Sequence, residues 1–169
     1  MKDWNEQMRE RRAIEHVLLD LDNTLLDFGR AERRALTLTL EGFGLEPNEE
    51  RVQVYSAINL EYWQRLERGE ISRERLKVER FRAFFDTQAV QEEAAEAARC
   101  YEGHLGEGHY FMQGAASLLE SLQGKHRLYL ATNGLAHVQK GRIESAGSAP
   151  YFDRIFISEL VGYNKPDIR

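Results

Sequence analysis

The feature that most constrains the fold is an apolar run that ends in two acids, VLLDLD at 17–22. The run from 13 to 20 has little polar relief, which is typical of a strand buried on both faces of a parallel α/β sheet. Asp20 and Asp22 follow at its carboxyl end, where open α/β sheets bind ligands. Because an isolated buried carboxylate is costly, such a pair requires a cation or a shared proton. By itself the pair also fits a solvated strand end or a helix cap.

The segment after residue 113 predicts further strands and helices of an α/β fold. Strands are predicted at 126–132 and 154–158, and helices at 114–123 and 135–146. The short connections between strand, helix and strand indicate βαβ units with parallel strands.

The segment between these two parts predicts only helices. Pro47 suits the first position of one helix, and Ser72 suits the cap of the next. Stripes of aromatic and aliphatic residues at helical spacing indicate a small helical bundle. We therefore expect an α/β core formed by 1–30 and 113–169, interrupted by a helical domain at 31–112.

Composition limits the classes of function. The 169 residues suit one domain, or one domain with an insertion. A net charge of −5 and a pI near 5.6 argue against a nucleic-acid partner or an anionic membrane surface. No stretch approaches the length of a membrane span, and no signal-peptide pattern is visible. The single cysteine, Cys100, cannot form an internal disulfide, so we expect a cytoplasmic protein with Cys100 packed in the core.

Polar residues also follow the other two predicted strands. Thr132, Asn133 and Gly134 open a helix, where a hydroxyl and free backbone N–H groups make an anion cradle. Lys165 comes after the third strand. Alone, these are an ordinary turn and a surface lysine. With the acid pair they converge on one sheet edge and suit phosphoryl transfer, in which a carboxylate attacks phosphorus and cations absorb charge.

Three motifs carry a family resemblance. DLDNTL at 20–25, ATNG at 131–134 and NKPD at 164–167 resemble motifs one to three of the haloacid dehalogenase-like hydrolase superfamily. The helical insertion is similar to the α-helical cap of that superfamily. The resemblance implies a Rossmann-like core with a cap and a Mg²⁺-dependent phosphatase that acts through an aspartyl phosphate.

The resemblance also implies roles for individual residues. Asp20 would be the nucleophile and a side-chain ligand of Mg²⁺. Asp22 would be the general acid and base, with its main-chain carbonyl on the metal. Thr132 and the Asn133 backbone would hold the phosphoryl group, and Lys165 would neutralise it. An acid at position 22 favours phosphatases over the dehalogenase branch.

A finer resemblance suggests a substrate. The segments at 29–36, 61–72 and 157–167 are similar to bacterial 5′-nucleotidases that act on pyrimidine nucleoside monophosphates. We therefore expect a small phosphorylated metabolite, a nucleoside 5′-monophosphate, as substrate. The aromatic residues Tyr55, Tyr62 and Trp63, with Arg65, either face the base or pack in the bundle.

The fourth motif of the superfamily, an acidic loop that supplies a third metal ligand, is absent from a chain that stops at Arg169. Asp153 and Asp167 are expected to be surface residues rather than substitutes. The sequence therefore predicts a C-terminally truncated member with weakened Mg²⁺ binding, low activity and an open sheet edge prone to self-association. The alternative is a non-catalytic module that binds phosphate or a partner. A response-regulator receiver is disfavoured because receivers have only short loops after the acids.

Overall fold

The computed structural model describes residues 14–167. Ala13, at the start of the first predicted strand, and the C-terminal Arg169 lie outside this range. The elements follow in chain order: β1 (His16–Leu19), α1 (Phe28–Gly42), α2 (Glu49–Glu67), α3 (Arg73–Thr87), α4 (Ala94–Gly106), α5 (Ala115–Leu122), β2 (Arg127–Thr132), α6 (Ala136–Ser145), a 3₁₀ turn (Ala149–Tyr151), β3 (Arg154–Ile157) and α7 (Ser158–Val161).

The strands form one parallel sheet in the order β1-β2-β3. Leu19 pairs with Leu130, and Thr132 pairs with Ile157, so the three strands end at the same edge. The predicted α/β fold with a parallel sheet is confirmed. The predicted strands at 126–132 and 154–158 are each confirmed to within one residue at either end.

The two faces of the sheet differ in burial. Val17 and Leu19 pack with the buried Leu128 and Leu130 in one apolar cluster. The opposite face carries Leu18, whose residue surface is 64% exposed. The expectation that the first strand is buried on both faces is therefore wrong for residues 14–167. Successive side chains of a strand alternate between faces, and the described helices cover only one of them.

Helices α1 to α4 enclose an aromatic core. Tyr55 stands at its centre, with ring centroids 4.9 Å from Phe81 and 5.2 Å from Tyr101. Ser72 caps α3 as predicted, since its hydroxyl accepts from the Arg75 N–H. Pro47 is not the first residue of α2, because Asn48 caps that helix through its side-chain oxygen.

Two adjoining segments connect the sheet to the helices. The Asp27 N–H donates to Tyr110 O at 2.7 Å, and the Met112 N–H donates to Leu25 O at 2.9 Å. Helix α4 also lies very close to α6, because a Cβ at Gly141 would come within 2.8 Å of the Gly106 carbonyl oxygen. These contacts place the helical bundle over the carboxyl end of the sheet. The division into core and helical domain stays a prediction.

Two further expectations from the sequence concern Cys100 and membrane-spanning segments. Cys100 is only partly buried, so the expected core position is wrong. Burial and the neighbouring Glu96 raise the pKa of its thiol, which disfavours a reactive thiolate. Within residues 14–167, no helix is both long and apolar enough to span a membrane.

The uncovered sheet face generates a prediction about association. We expect the 169-residue chain to self-associate through the face that bears Leu18 and Phe156, which are 64% and 40% exposed. Leu18→Lys should lower the associated fraction in sedimentation velocity over a concentration series. Leu160→Lys, at a residue that is 61% exposed but outside the sheet, is the matched control. A monomer at every concentration would contradict the prediction.

A second prediction concerns pH. Hydrogen bonds from Arg33, at 2.5 and 2.9 Å, lower the pKa of the Glu49 carboxyl to about 2. A lowered pKa means that this pair stabilises the fold above the ordinary value of 4.5 and that the effect fades as pH falls towards 2. Glu49→Gln should therefore lower Tm slightly at pH 7 and progressively less below pH 4.5. An equal loss of Tm in thermal melts at both extremes would argue against it.

Candidate active site

The first and third predicted motifs meet at the sheet edge. Asp20 directly follows β1, and its Oδ1 accepts a hydrogen bond from the Leu21 N–H at 2.8 Å. The Lys165 ammonium lies 2.6 Å from the same Oδ1 and 2.7 Å from the Ala131 carbonyl oxygen. Asp20 and Lys165 are 42% and 45% exposed at their side chains, so the pair is accessible to solvent. Parallel pairing thus brings together two residues 145 positions apart in the sequence.

The second motif lies between them. Thr132 ends β2 as a buried residue, and Gly134 opens the turn into α6 with φ of +157°. A Cβ at Gly134 would approach the Gln139 side chain to 2.7 Å, so this position requires glycine. The Thr132 hydroxyl donates to Asn133 O at 3.2 Å.

The Asn133 side chain has a role that the sequence reasoning did not include. Its Nδ2 donates to the Lys165 carbonyl oxygen at 2.9 Å, and its Oδ1 accepts from the Lys165 N–H at 2.8 Å. This reciprocal pair of bonds holds the backbone of the lysine loop against the second motif. The position of the Lys165 ammonium beside Asp20 is therefore supported by the neighbouring strand end.

Asp22 is held by two residues that sequence reasoning missed, Gln139 and Arg142. Arg142 Nη1 is ion-paired with Asp22 Oδ1, and Gln139 Nε2 donates to Asp22 Oδ2 at 2.9 Å. Gln139 Nε2 also contacts the Thr132 hydroxyl at 2.7 Å. Both side chains lie on α6, three positions apart on the face that carries the buried Val138 and Ile143. Polar residues at core-facing positions of the helix that follows the second motif were the signal available in the sequence.

Arg142 is buried more completely than its partner. Its side chain is 1% exposed, against 28% for Asp22. Its Nε donates to the Gly108 carbonyl oxygen at 3.2 Å. Nη2 is buried and has no hydrogen-bond partner among the described residues. A buried guanidinium N–H without a partner is costly.

A cavity of about 370 Å³ opens beside these residues, between the helical bundle and α6. Asp22 and Asn133 line it, whereas Asp20 and Lys165 do not. Of the residues in the helical bundle whose role the sequence left open, Trp63 lines the cavity and Tyr55 is fully buried in the bundle core. The remaining two, Tyr62 and Arg65, contact one another away from the cavity lining.

One wall of the cavity is an unusually polar part of the helical bundle. Glu32 is 6% exposed and accepts hydrogen bonds from Ser56 Oγ at 2.6 Å and Asn59 Nδ2 at 2.7 Å. Burial raises the pKa of the Glu32 carboxyl, against the opposing effect of these two bonds and of Arg80. Arg80 in turn donates to Asn59 Oδ1 at 2.9 Å and to Glu102 at 3.1 Å.

The oxygen donors at the sheet edge fit a hard divalent cation. Neither Asp20 Oδ2 nor the Asp22 carbonyl oxygen accepts a hydrogen bond from a described residue. Mg²⁺ commonly takes one or two protein oxygens and keeps waters and substrate phosphate at its other positions. No group of three or more His, Cys, Asp or Glu within 14–167 is arranged to hold a metal. Asp153 and Asp167 are exposed, as expected, and Asp153 pairs with Arg127 at 3.4 Å.

A family model for haloacid dehalogenase-like hydrolases matches residues 14–169. The chain belongs to this family. Two curated relatives from bacteria are the HAD-hydrolase YfnB of Bacillus subtilis, 35% identical, and the pyrimidine 5′-nucleotidase PynA of Streptococcus pneumoniae, 37% identical. Each match covers 89% of this chain and 64% of the relative. The chain thus spans just under two thirds of the length of these relatives.

A solved structure gives the same assignment. The crystal structure of YfnB bound to magnesium superposes with a TM-score of 0.85 at 33% identity. The superposition covers 92% of this chain and 68% of that one. The arrangement of sheet and helices described above is therefore that of a haloacid dehalogenase-like hydrolase.

The buried pair of Arg142 and Asp22 yields a stability prediction. Arg142→Met keeps the apolar stem but leaves the Asp22 carboxylate, which is 28% exposed, with one partner fewer, and should lower the free energy of unfolding by about 1–3 kcal/mol. Arg127→Met removes the exposed pair with Asp153 and should cost less than about 1 kcal/mol. Urea denaturation measures both. Equal losses for the two variants would show that the Asp22 pair is not a buried contact in solution.

Proposed function

We propose that the chain carries catalytic residues of a Mg²⁺-dependent phosphatase that hydrolyses phosphate monoesters through an aspartyl phosphate. The observation that carries the proposal is the contact of Lys165 Nζ with Asp20 Oδ1 at 2.6 Å, at the sheet edge where β2 ends in Thr132. A carboxylate, an ammonium and an anion cradle at one sheet edge suit attack on a phosphoryl group.

Each residue has a distinct role in the proposed reaction. Asp20 attacks phosphorus as the bond to the leaving oxygen breaks, and Asp22 gives that oxygen a proton. Asp22 then accepts a proton from water as the water attacks the aspartyl phosphate, which releases phosphate and restores Asp20. Thr132 and the Asn133 N–H hold the phosphoryl oxygens, and Lys165 offsets their charge. Gln139 and Arg142 fix the position of the Asp22 carboxylate in the cavity lining.

Mg²⁺ would be held by an Asp20 carboxylate oxygen and the Asp22 main-chain carbonyl, where it would reduce the repulsion between carboxylate and phosphate. Asp20 Oδ2 and the Asp22 carbonyl oxygen accept no hydrogen bond from a described residue, which supports this assignment. The magnesium in the crystal structure of the relative YfnB is consistent with it.

The substrate class that we propose is a nucleoside 5′-monophosphate with a pyrimidine base. The relative PynA, at 37% identity, is a pyrimidine 5′-nucleotidase. A cavity of about 370 Å³ that begins at Asp22 and Asn133 has room for a small leaving group beside the phosphoryl site.

The test is phosphate release by the 169-residue chain from a panel of nucleoside 5′-monophosphates and from p-nitrophenyl phosphate, with and without Mg²⁺. We expect Mg²⁺-dependent release that Asp20→Asn lowers more than about 1,000-fold, because the nucleophile is lost. Asp153→Asn, at an exposed acid at the opposite end of the sheet, is the matched control and should keep the wild-type rate.

The second candidate is a module that binds phosphate without turnover. Within residues 14–167 no group of three or more His, Cys, Asp or Glu side chains is arranged to hold a metal, which favours this candidate. Phosphate binding to a folded chain that releases no phosphate from any substrate would select this candidate over the phosphatase. Release that survives Asp20→Asn would refute the nucleophile assignment.

A further inference from the structure

The segment that carries Lys165 also contacts the helical bundle, through Arg73 at the start of α3. Arg73 Nη2 donates to Asn164 Oδ1 at 2.6 Å and to Ser158 Oγ at 3.3 Å. The two acceptors lie 91 and 85 positions from Arg73 in the sequence, so both bonds depend on the packing of the bundle against the sheet. Because Asn164 directly precedes Lys165, the guanidinium is bonded to the neighbour of the cation that contacts Asp20.

The guanidinium of Arg73 is enclosed rather than exposed. Its Nε is buried and has no hydrogen-bond partner among the described residues, and Ser158 beside it is 5% exposed. Hydrogen bonds from a charged donor are stronger than those between neutral groups, and exclusion of water strengthens them further. The bond to Asn164 therefore restrains the segment more than a contact in open solvent would.

A second contact joins the same face of α3 to the same region. Lys77 Nζ, one helical turn further along α3, lies 3.9 Å from Glu159 Oε1. The other oxygen of Glu159 accepts from the Ala136 N–H at 2.6 Å, and Ser158 Oγ accepts from the Gly134 N–H at 3.2 Å. Helix α3 thus contacts the start of α7, which in turn contacts the turn that opens α6.

The segment around Lys165 is therefore held from two sides. Asn133 bonds to the Lys165 backbone from the sheet, at 2.8 and 2.9 Å, whereas Arg73 bonds to Asn164 from the bundle. The Asn164 carbonyl oxygen accepts from the Asp167 N–H at 2.8 Å, which closes a turn around the lysine. With its backbone fixed in this way, the long lysine side chain has a defined point from which to reach the nucleophile.

We propose that Arg73 is a positioning residue for Lys165, which connects the placement of the helical bundle to the cation at the phosphoryl site. Arg73 acts through Asn164 rather than on the substrate. The proposal rests on the proposed function, in which Lys165 offsets charge on the phosphoryl oxygens. A displaced ammonium costs more where that charge is fully developed, in the transition state, than in the bound substrate. Loss of Arg73 should therefore lower kcat more than it raises KM.

The first experiment measures hydrogen exchange of individual amides by NMR, which does not depend on catalysis. The amides of Lys165 and Asp167 report on the segment, because both are hydrogen-bonded there. In Arg73→Met these two amides should exchange at least about tenfold faster, while the amides of β2 keep their wild-type rates. Arg75→Met is the matched control on the same helix, since Arg75 is exposed and pairs with Glu79 at 2.8 Å. It should leave both reporter amides within about twofold of the wild-type rate.

A variant of the acceptor tests whether Arg73 acts through Asn164. Asn164→Ala removes the accepting side chain and should accelerate the same two amides by about the same factor as Arg73→Met. The double variant should differ from either single variant by less than about twofold, because both substitutions remove one contact. Asn164 is only partly buried, so Asn164→Ala also decides the question if Arg73→Met does not fold.

The second experiment uses p-nitrophenyl phosphate with Mg²⁺. Arg73→Met should lower kcat by about 10- to 100-fold with KM within about threefold of the wild-type value, because a small displacement of a positioned group is costly in the transition state. Arg75→Met should keep the wild-type kcat. A rise in KM with kcat unchanged would overturn the inference, because it would mean that Arg73 serves substrate binding alone.

The outcomes separate the inference from the function on which it rests. Unchanged exchange at Lys165 and Asp167 in both single variants would overturn the inference, as would additive effects in the double variant. Faster exchange throughout β2 would overturn it too, since that would show a general loss of stability. If the wild-type chain releases no phosphate, the phosphatase proposal fails, and the exchange rates alone decide the role of Arg73.

Discussion

Parallel pairing of β1 with β2 and of β2 with β3 is the constraint on which the candidate site depends. The polar residues that follow the three strands are far apart in the chain, and they meet only because all three strands end at one edge. The Asn133 side chain then bonds twice to the Lys165 backbone, and Lys165 reaches Asp20 at 2.6 Å. Pairing of the strands therefore sets the positions of Asp20, Asn133 and Lys165 together.

A second layer of polar contacts joins this edge to the helical bundle. Gln139 and Arg142 connect Asp22 to α6, and Arg142 also contacts the Gly108 carbonyl oxygen in the segment that returns from the bundle. The close approach of Gly106 and Gly141 brings α4 against α6 at the same place. The cavity lies between these surfaces, so the groups that would recognise a leaving group come from the bundle and the groups that would act on phosphate come from the sheet.

Much of this arrangement was predictable from local patterns. The strands after residue 113, the Ser72 cap and the convergence of the motifs at 20–25, 131–134 and 164–167 follow from hydrophobic periodicity, cap chemistry and the rule that ligands bind at the carboxyl ends of parallel strands. The errors have physical causes as well. An apolar run does not reveal how many faces of its strand are covered, so the exposure of Leu18 could not be predicted from it. The helix expected to begin at Pro47 begins later, because the Asn48 side chain caps it.

The sequence by itself determined the chemical inventory of the site: two acids, a threonine, an asparagine and a lysine, each at or after the carboxyl end of a strand. These are local properties, set by residue type and by the change from strand to turn. Only the tertiary structure decided which partners hold Asp22, and that Trp63 lines the cavity while Tyr55 is buried in the bundle. Those facts depend on contacts between helices that are distant in sequence, and side-chain periodicity gives the face of a helix but not the residue that it meets.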